Sequence, residues 1–200
     1  MTETSGAEAP SQWDKFYENS KDRPLRQLLL DSMAYVKPPG KALDIGAGAL
    51  KESRYLLDQG FEVTAFDSEP AAAEIAKTIL DDKFRFQPAS YWEFKYPQQE
   101  YDLVTAMYAL PFTPPEQFDE VMRNVLDSVK PGGIFAGHFF GEQDEWNNRA
   151  NNMSFVSEPA LHKFFEGFDE LSFCEQKGED STDSGGMKFW HIYHLIARKH

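Results

Sequence analysis

Asp44, Gly46, Gly48 and Asp67 are the residues whose types and spacing could do chemistry in this chain. Ala42, Leu43 and Ile45 supply the apolar run of a buried strand, and Gly46 and Gly48 with Ala47 between them supply a tight turn into which no large side chain intrudes. A ligand can approach such a backbone closely. The segment 51 to 59 is expected to be a helix that closes at Gly60, after which Phe61, Val63, Ala65 and Phe66 form a second buried strand that stops at Asp67. Twenty-one residues separate Gly46 from Asp67, close to the spacing of roughly 20 at which an acidic side chain meets a ribose diol. The ligand implied has an adenosine-like half. The plainer alternative is a βαβ unit whose glycines only make the turn and whose Asp67 caps the following helix.

A dinucleotide fingerprint needs a third glycine where the helix packs on the strand and faces its N-terminus to a pyrophosphate, and that position is Lys51. The stretch Leu43-Asp44-Ile45-Gly46-Ala47-Gly48 resembles instead motif I of the class I S-adenosylmethionine-dependent methyltransferases. That resemblance implies that Asp44, Gly46, Ala47 and Gly48 lie under the methionine part of the cofactor, and that Asp67, followed by Ser68, holds both ribose hydroxyls.

The elements that position these residues alternate. After a polar lead over 1 to 10, expected to be disordered, Ser11 caps a short helix carrying Trp13, Phe16 and Tyr17, and a second helix after Asp22 and Pro24 carries Leu25, Leu28, Leu29, Met33 and Val36. Residues 11 to 39 are thus two N-terminal helices that could serve as a lid, and 40 to 200 form the main domain. Helix is expected over 69 to 80, strand over 84 to 87, strand over 101 to 107, helix over 115 to 129 with proline in its first turn, and strand over 134 to 140. Strands alternating with helices indicate a parallel sheet. The tail breaks this rhythm: a helix over 158 to 165, a strand over 168 to 174, a polar loop over 175 to 186 and a strand over 189 to 197 place two strands side by side with no helix between them, hence antiparallel.

This order, with Lys130-Pro131-Gly132-Gly133 ahead of the fifth strand, also resembles the class I methyltransferases. The fold class expected is α/β: a Rossmann-like sheet, mostly parallel with an antiparallel C-terminal strand and helices on both faces. Trp13 to Tyr17, Leu110 to Pro115, Phe140 to Trp146 and Phe189 to His194 are similar to stretches of small bacterial enzymes of the tellurite-resistance and thiopurine methyltransferase kind.

By the same resemblance, Ser90 and Tyr91 after the third strand face the adenine, Met107 after the fourth strand and Tyr17 of the N-terminal helix also touch the cofactor, and Trp13, Tyr108, Phe112, Phe140 and Trp146 wall the acceptor pocket. Many relatives carry a carboxylate where this chain has Ser90. The Asn- or Asp-Pro-Pro-aromatic turn of amino-methyltransferases acting on DNA and protein is absent after the fourth strand. Tyr108 and His138 are the candidates for a proton-transferring role. Methyl transfer by in-line displacement draws mainly on oriented proximity, worth on the order of 7 to 11 kcal/mol, and a base matters little for a soft anion.

Composition narrows the partners. With 33 acidic against 20 basic residues the formal charge is −13, which disfavours a nucleic-acid partner, since such binding rests on Lys and Arg neutralising phosphates. No apolar run approaches the roughly 18 to 20 residues of a membrane span, and the first ten residues lack a signal-peptide pattern. A cytoplasmic enzyme with a small-molecule substrate and S-adenosyl-L-methionine as cofactor is expected. The single cysteine, Cys174, is expected to be a buried structural thiol, and Glu142, Asp144 and Glu145 a solvated acidic loop. His191 and His194, three apart on a strand, fall on opposite faces and do not share a metal; no metal is expected. Two further classes stay open: a dinucleotide-dependent oxidoreductase, and a non-catalytic cofactor-binding protein with this fold.

Overall fold

A computed structural model of the chain describes residues 23–148, 152–182 and 186–200. The expected helix around Trp13, Phe16 and Tyr17, like the lead before it, lies outside the described residues. The first element described is helix α1 (Gln27–Ser32), followed by β1 (Lys41–Ile45), α2 (Lys51–Asp58), β2 (Glu62–Asp67), α3 (Pro70–Ala76), β3 (Phe84–Pro88) and β4 (Tyr101–Ala106). A 3-10 turn (Leu110–Phe112), α4 (Pro115–Ser128), β5 (Val129–Phe140), a second 3-10 turn (Glu145–Asn148), α5 (Glu158–Phe164), β6 (Phe168–Ser181) and β7 (Met187–Lys199) complete the order.

The seven strands form one sheet in the order β3-β2-β1-β4-β5-β7-β6. β1 lies parallel to β2 and β4, β2 to β3 and β4 to β5, whereas β7 runs antiparallel to both β5 and β6. This is the class I methyltransferase sheet with its antiparallel end. Both faces are covered, which is why the central strands read as near-continuous apolar runs. On one face Leu29 of α1, Leu56 of α2 and Ala76 of α3 pack with Val63, Leu103, Ile134 and Ile196. On the other, Val121, Met122 and Val125 of α4 and Leu161 of α5 pack with Val104, Phe135 and Leu195.

Several local readings change. The polar loop expected over 175 to 186 is strand as far as Ser181: β6 continues to that residue and pairs with β7 residue by residue from Gln176↔Ile192 to Ser181↔Met187. Beyond the core this ribbon is mostly exposed on β6, so no apolar alternation marks it; the backbone ladder holds it. α3 ends at Ala76 rather than Leu80, whose side chain is exposed, and α1 covers only six residues. Cys174 is exposed, not buried. It pairs with His194 one position beyond the Phe173↔Leu195 pair, so on this edge strand it points to the opposite side from Phe173, which packs against His162 of α5.

Candidate functional site

A cavity of about 600 Å³ opens at the C-terminal ends of β1, β2 and β4, where ligands bind in open α/β sheets. One end is built by the glycine turn. Gly46 adopts φ +61° and Gly48 φ +50°, values a side chain resists. A Cβ at Gly46 would sit 2.6 Å from Ala109 Cβ and 2.9 Å from the Tyr91 hydroxyl, so only glycine fits there.

Asp67 ends β2 with its carboxylate held by backbone. Oδ2 accepts from Gly48 N at 2.8 Å and Oδ1 from Glu69 N at 2.9 Å. Burial pushes its pKa up, an effect that the amides of Glu69, Gly48 and Ser68 oppose. A carboxylate has about four acceptor sites, and Asp67 also lines the cavity. Asp67 therefore braces the turn and the start of α3 and keeps lone pairs that these amides do not use.

Asp44 lies beneath the turn, almost wholly buried. Ser53 Oγ donates to Oδ2 at 2.6 Å and Thr105 Oγ1 to Oδ1 at 3.2 Å. Burial, reinforced by the nearby charge of Glu52, pushes its pKa up to about 7. A cationic ligand group near it would favour the ionised form.

Ser90 donates its hydroxyl hydrogen to Glu93 Oε2 at 2.5 Å, which leaves the oxygen to accept. Ser90 and Tyr91 line the cavity together with Ser68, Ala47 and Met107. The site therefore fits an adenosyl cofactor: a side-chain-free turn, a half-buried carboxylate and an oriented hydroxyl lie on successive strand ends.

The other end is aromatic. Tyr108, Phe112, Phe140, Trp146 and Trp190 line it, with Phe140 at 5.6 Å from Trp190 and Trp146 at 5.5 Å from Trp190 between ring centroids. Tyr108 sits at φ +58°, a left-handed conformation costly for a bulky residue. Its ring stacks on His138 at 4.0 Å and 15°, and Arg26 lies 4.6 Å above it. His138 is buried, does not line the cavity, and has a buried Nδ1 with no hydrogen-bond partner. Burial, then the charges of His194 and Arg26, hold its pKa well below the usual histidine value. It is a neutral imidazole behind Tyr108 rather than a group facing the acceptor.

The acidic turn after β5 is solvated only in part: Glu142 is exposed as expected and Glu145 is half-buried, but Asp144 is not solvated. Asp144 is fully buried and forms an ion pair with Lys188. Its carboxylate also accepts from Trp146 N at 3.0 Å and His191 N at 3.1 Å. The Lys188 ammonium lies 3.9 Å from each of the Trp146 and Trp190 ring centroids and 5.1 Å from that of Phe140. His191 and His194 take separate partners, Glu175 and Gln176, as their offset predicts.

Trp13 and Tyr17 lie outside the described residues. Every other expected cofactor or pocket residue lines the cavity: Asp44, Gly46, Ala47, Gly48, Asp67, Ser68, Ser90, Tyr91, Met107, Tyr108, Phe112, Phe140 and Trp146. Sequence reasoning missed Arg23, Arg26 and Glu52, and the hairpin residues Gln176, Asp180, Ser181 and Thr182. Arg23 Nη2 bonds Glu52 at 2.9 Å, and Lys51, at the position of the missing third glycine, donates to the Arg23 carbonyl. The signal for these arginines was their place just ahead of the helix before the first strand; nothing local signalled the hairpin.

The family described as "Methyltransferase domain" matches residues 16–175. An uncharacterized methyltransferase of Synechocystis, sll0829, is 32% identical over 110 residues, 55% of this chain and 51% of its own. TehB of Haemophilus influenzae is 25% identical over 173 residues, 83% of this chain and 59% of its own. The TehB crystal structure aligns with a TM-score of 0.76 at 18% identity over 95% of this chain and 68% of that chain. The Burkholderia thailandensis 1,6-didemethyltoxoflavin-N1-methyltransferase, solved with 1,6-didemethyltoxoflavin and S-adenosylhomocysteine, aligns with a TM-score of 0.67 at 21% identity over 90% and 80%. Nucleic-acid enzymes are also among the relatives: the tRNA(Thr) (cytosine(32)-N(3))-methyltransferase of Saccharomyces cerevisiae is 25% identical over 66% of this chain and 24% of its own length. The chain spans about half the length of the first of these curated relatives. With four-fifths of its residues inside the family match, the glycine turn and the Asp67 carboxylate at the strand ends and the sheet ending antiparallel, the chain belongs to the methyltransferase-domain family, the S-adenosyl-L-methionine-dependent methyltransferases of class I.

Proposed function

We propose that this protein is a cytoplasmic enzyme that transfers a methyl group from S-adenosyl-L-methionine to a small molecule. The observation that carries the reading is that one cavity joins a nucleoside-type cradle to an aromatic slot. Its volume of about 600 Å³ lies in the ordinary range for small-ligand sites.

When bound, S-adenosyl-L-methionine supplies a methyl on a sulfonium that a nucleophile displaces in line. The chain's own residues do the positioning. Asp67 accepts from the ribose hydroxyls, Gly46 and Gly48 admit the ligand against the backbone, and Ser90 offers its oxygen to the adenine amine. Asp44, titrating near neutrality beneath the turn, favours a cationic ligand group in its ionised state. Tyr108, Phe112, Phe140 and Trp146 exclude water and hold the acceptor by area and stacking. No base need act on an acceptor that is already an anion or carries an available lone pair. Tyr108 is the polar side chain facing the acceptor, and His138 supports it from behind.

Soft or small aromatic acceptors, such as thiols, thiopurines and reduced oxyanions of selenium or tellurium, are the substrates this reading favours. The formal charge of −13 weighs against docking a polyanion, even though tRNA enzymes are among the relatives. A panel assay of S-adenosylhomocysteine release tests the point. Turnover of small acceptors above that of tRNA, DNA and protein is expected; turnover of tRNA alone would overturn the small-molecule reading. Cofactor binding with no turnover on any acceptor would favour a non-catalytic role.

A further inference from the structure

The aromatic slot contains rings of the kind that attract cations, yet those rings already carry cations of the protein. Arg26 covers the Tyr108 face at 4.6 Å. Lys188 sits against Trp146 and Trp190 at 3.9 Å from each, and 5.1 Å from Phe140. Lys188 is almost wholly buried and does not line the cavity, whereas Trp146, Trp190, Tyr108 and Phe140 do. The ammonium therefore lies behind the wall that an acceptor would touch.

A cation on a ring draws on the same quadrupole that a cationic ligand would use. With that face engaged, a second positive charge nearby meets a weakened quadrupole. A neutral or negative π system does not depend on that attraction, and stacks on rings whose electron density is drawn towards the protein's own cations.

Lys188 is fixed in this role by Asp144. The carboxylate binds the ammonium and the backbone nitrogens of Trp146 and His191, tying the turn after β5 to the start of β7. The ion pair thus positions both tryptophans and keeps the ammonium against their rings.

We propose that the aromatic half of the cavity is a slot for a flat, neutral or anionic acceptor, that it rejects protonated amines, and that Arg26 and Lys188 set this selectivity. The proposal rests on the small-molecule reading above and narrows it to acceptors that present a thiolate, an oxyanion or an unprotonated heteroaromatic nitrogen.

The test is isothermal titration of protein saturated with S-adenosylhomocysteine, near neutral pH, using 4-nitrothiophenolate, 4-nitroaniline and 4-nitrobenzylammonium as anionic, neutral and cationic probes of similar shape. The first two are expected to bind at least about tenfold more tightly than the third, the scale of a desolvated cation–π contact. Arg26→Gln, which removes one cation while keeping a polar side chain of similar reach, should narrow that gap several-fold. Lys188→Met combined with Asp144→Asn removes the other charge without leaving a bare buried partner and should narrow it further. If the double variant does not fold, Arg26→Gln decides. Equal binding of the cationic probe by the native protein, or an unchanged gap in Arg26→Gln, would overturn the proposal and leave the small-molecule reading standing. Failure of all three probes to bind would overturn both.

Discussion

Asp67→Asn separates the two roles that converge on one carboxylate. Asp67 accepts Gly48 N at 2.8 Å on one oxygen and Glu69 N at 2.9 Å on the other, and the ribose hydroxyls would use the lone pairs that remain. Asparagine keeps one acceptor oxygen and turns the other position into a donor, which then faces an amide N–H and a hydroxyl. Loss of a hydrogen bond to a charged group costs about 1.5 to 3 kcal/mol, so cofactor affinity should fall by roughly 10- to 150-fold. The cost to the unliganded protein is smaller, because burial already disfavours the Asp67 charge; about 1 kcal/mol is expected, or roughly 2 to 4 °C for a domain of this size. Asp67→Ala releases both amides and should cost about twice that. Titration calorimetry with S-adenosylhomocysteine and its 2′-deoxy analogue closes a double-mutant cycle. The native protein should discriminate against the deoxy ligand, and Asp67→Asn should not. If the variant loses stability while retaining native affinity and the same discrimination, Asp67 is only a brace for the turn and the ribose assignment is wrong.

Asp44→Asn should flatten the pH dependence of stability. The folded-state pKa of about 7 lies above the unfolded value of about 3.9, so the native protein loses stability as pH rises from about 4 to about 7, and thermal melts across that window should lose that slope in the variant. His138 and His194 act in the opposite sense: both pKa values are depressed, so the unfolded chain takes up protons first and stability falls as pH drops through about 6.5, the unfolded histidine value. His138→Gln should reduce this acid-side loss, and an unchanged acid limb would show that the ring is not buried neutral. Gly46→Ala should abolish cofactor binding and lower the melting temperature, since its Cβ would lie 2.6 Å from Ala109 Cβ at φ +61°; native binding calorimetry would refute the close fit. Arg23→Gln strips the buried Glu52 of its partner and should cost about 3 kcal/mol, the lower end for breaking a buried pair, read as a shift in denaturant midpoint; a shift under a third of that would mean that water compensates Glu52.

The sequence alone determined the frame of this site. An apolar strand, a glycine turn and an acidic residue twenty-one positions from the first glycine are local and directional, so chain order suffices to place Asp44, Gly46, Gly48 and Asp67 at one sheet end. The parallel core and the antiparallel finish were legible for the same reason: strands with a helix between them and strands without one must connect differently.

Tertiary structure decided what depended on contacts between distant segments. Asp144 looks like one of three acidic loop residues until β7 brings Lys188 from 44 residues away to bury it. Arg26 becomes part of the cavity because the segment before α1 crosses the sheet end to reach Tyr108. The outer part of β6 has too little burial for a readable pattern, and its strand is fixed by ladder pairing with β7 alone. His138 has apolar neighbours along the chain, but its place beneath the Tyr108 ring is set by the fold, and burial there, with the charges of His194 and Arg26, pushes its pKa well below the usual histidine value. Backbone periodicity is written in nearest neighbours; burial of a charge is set by whichever segment the fold lays across it.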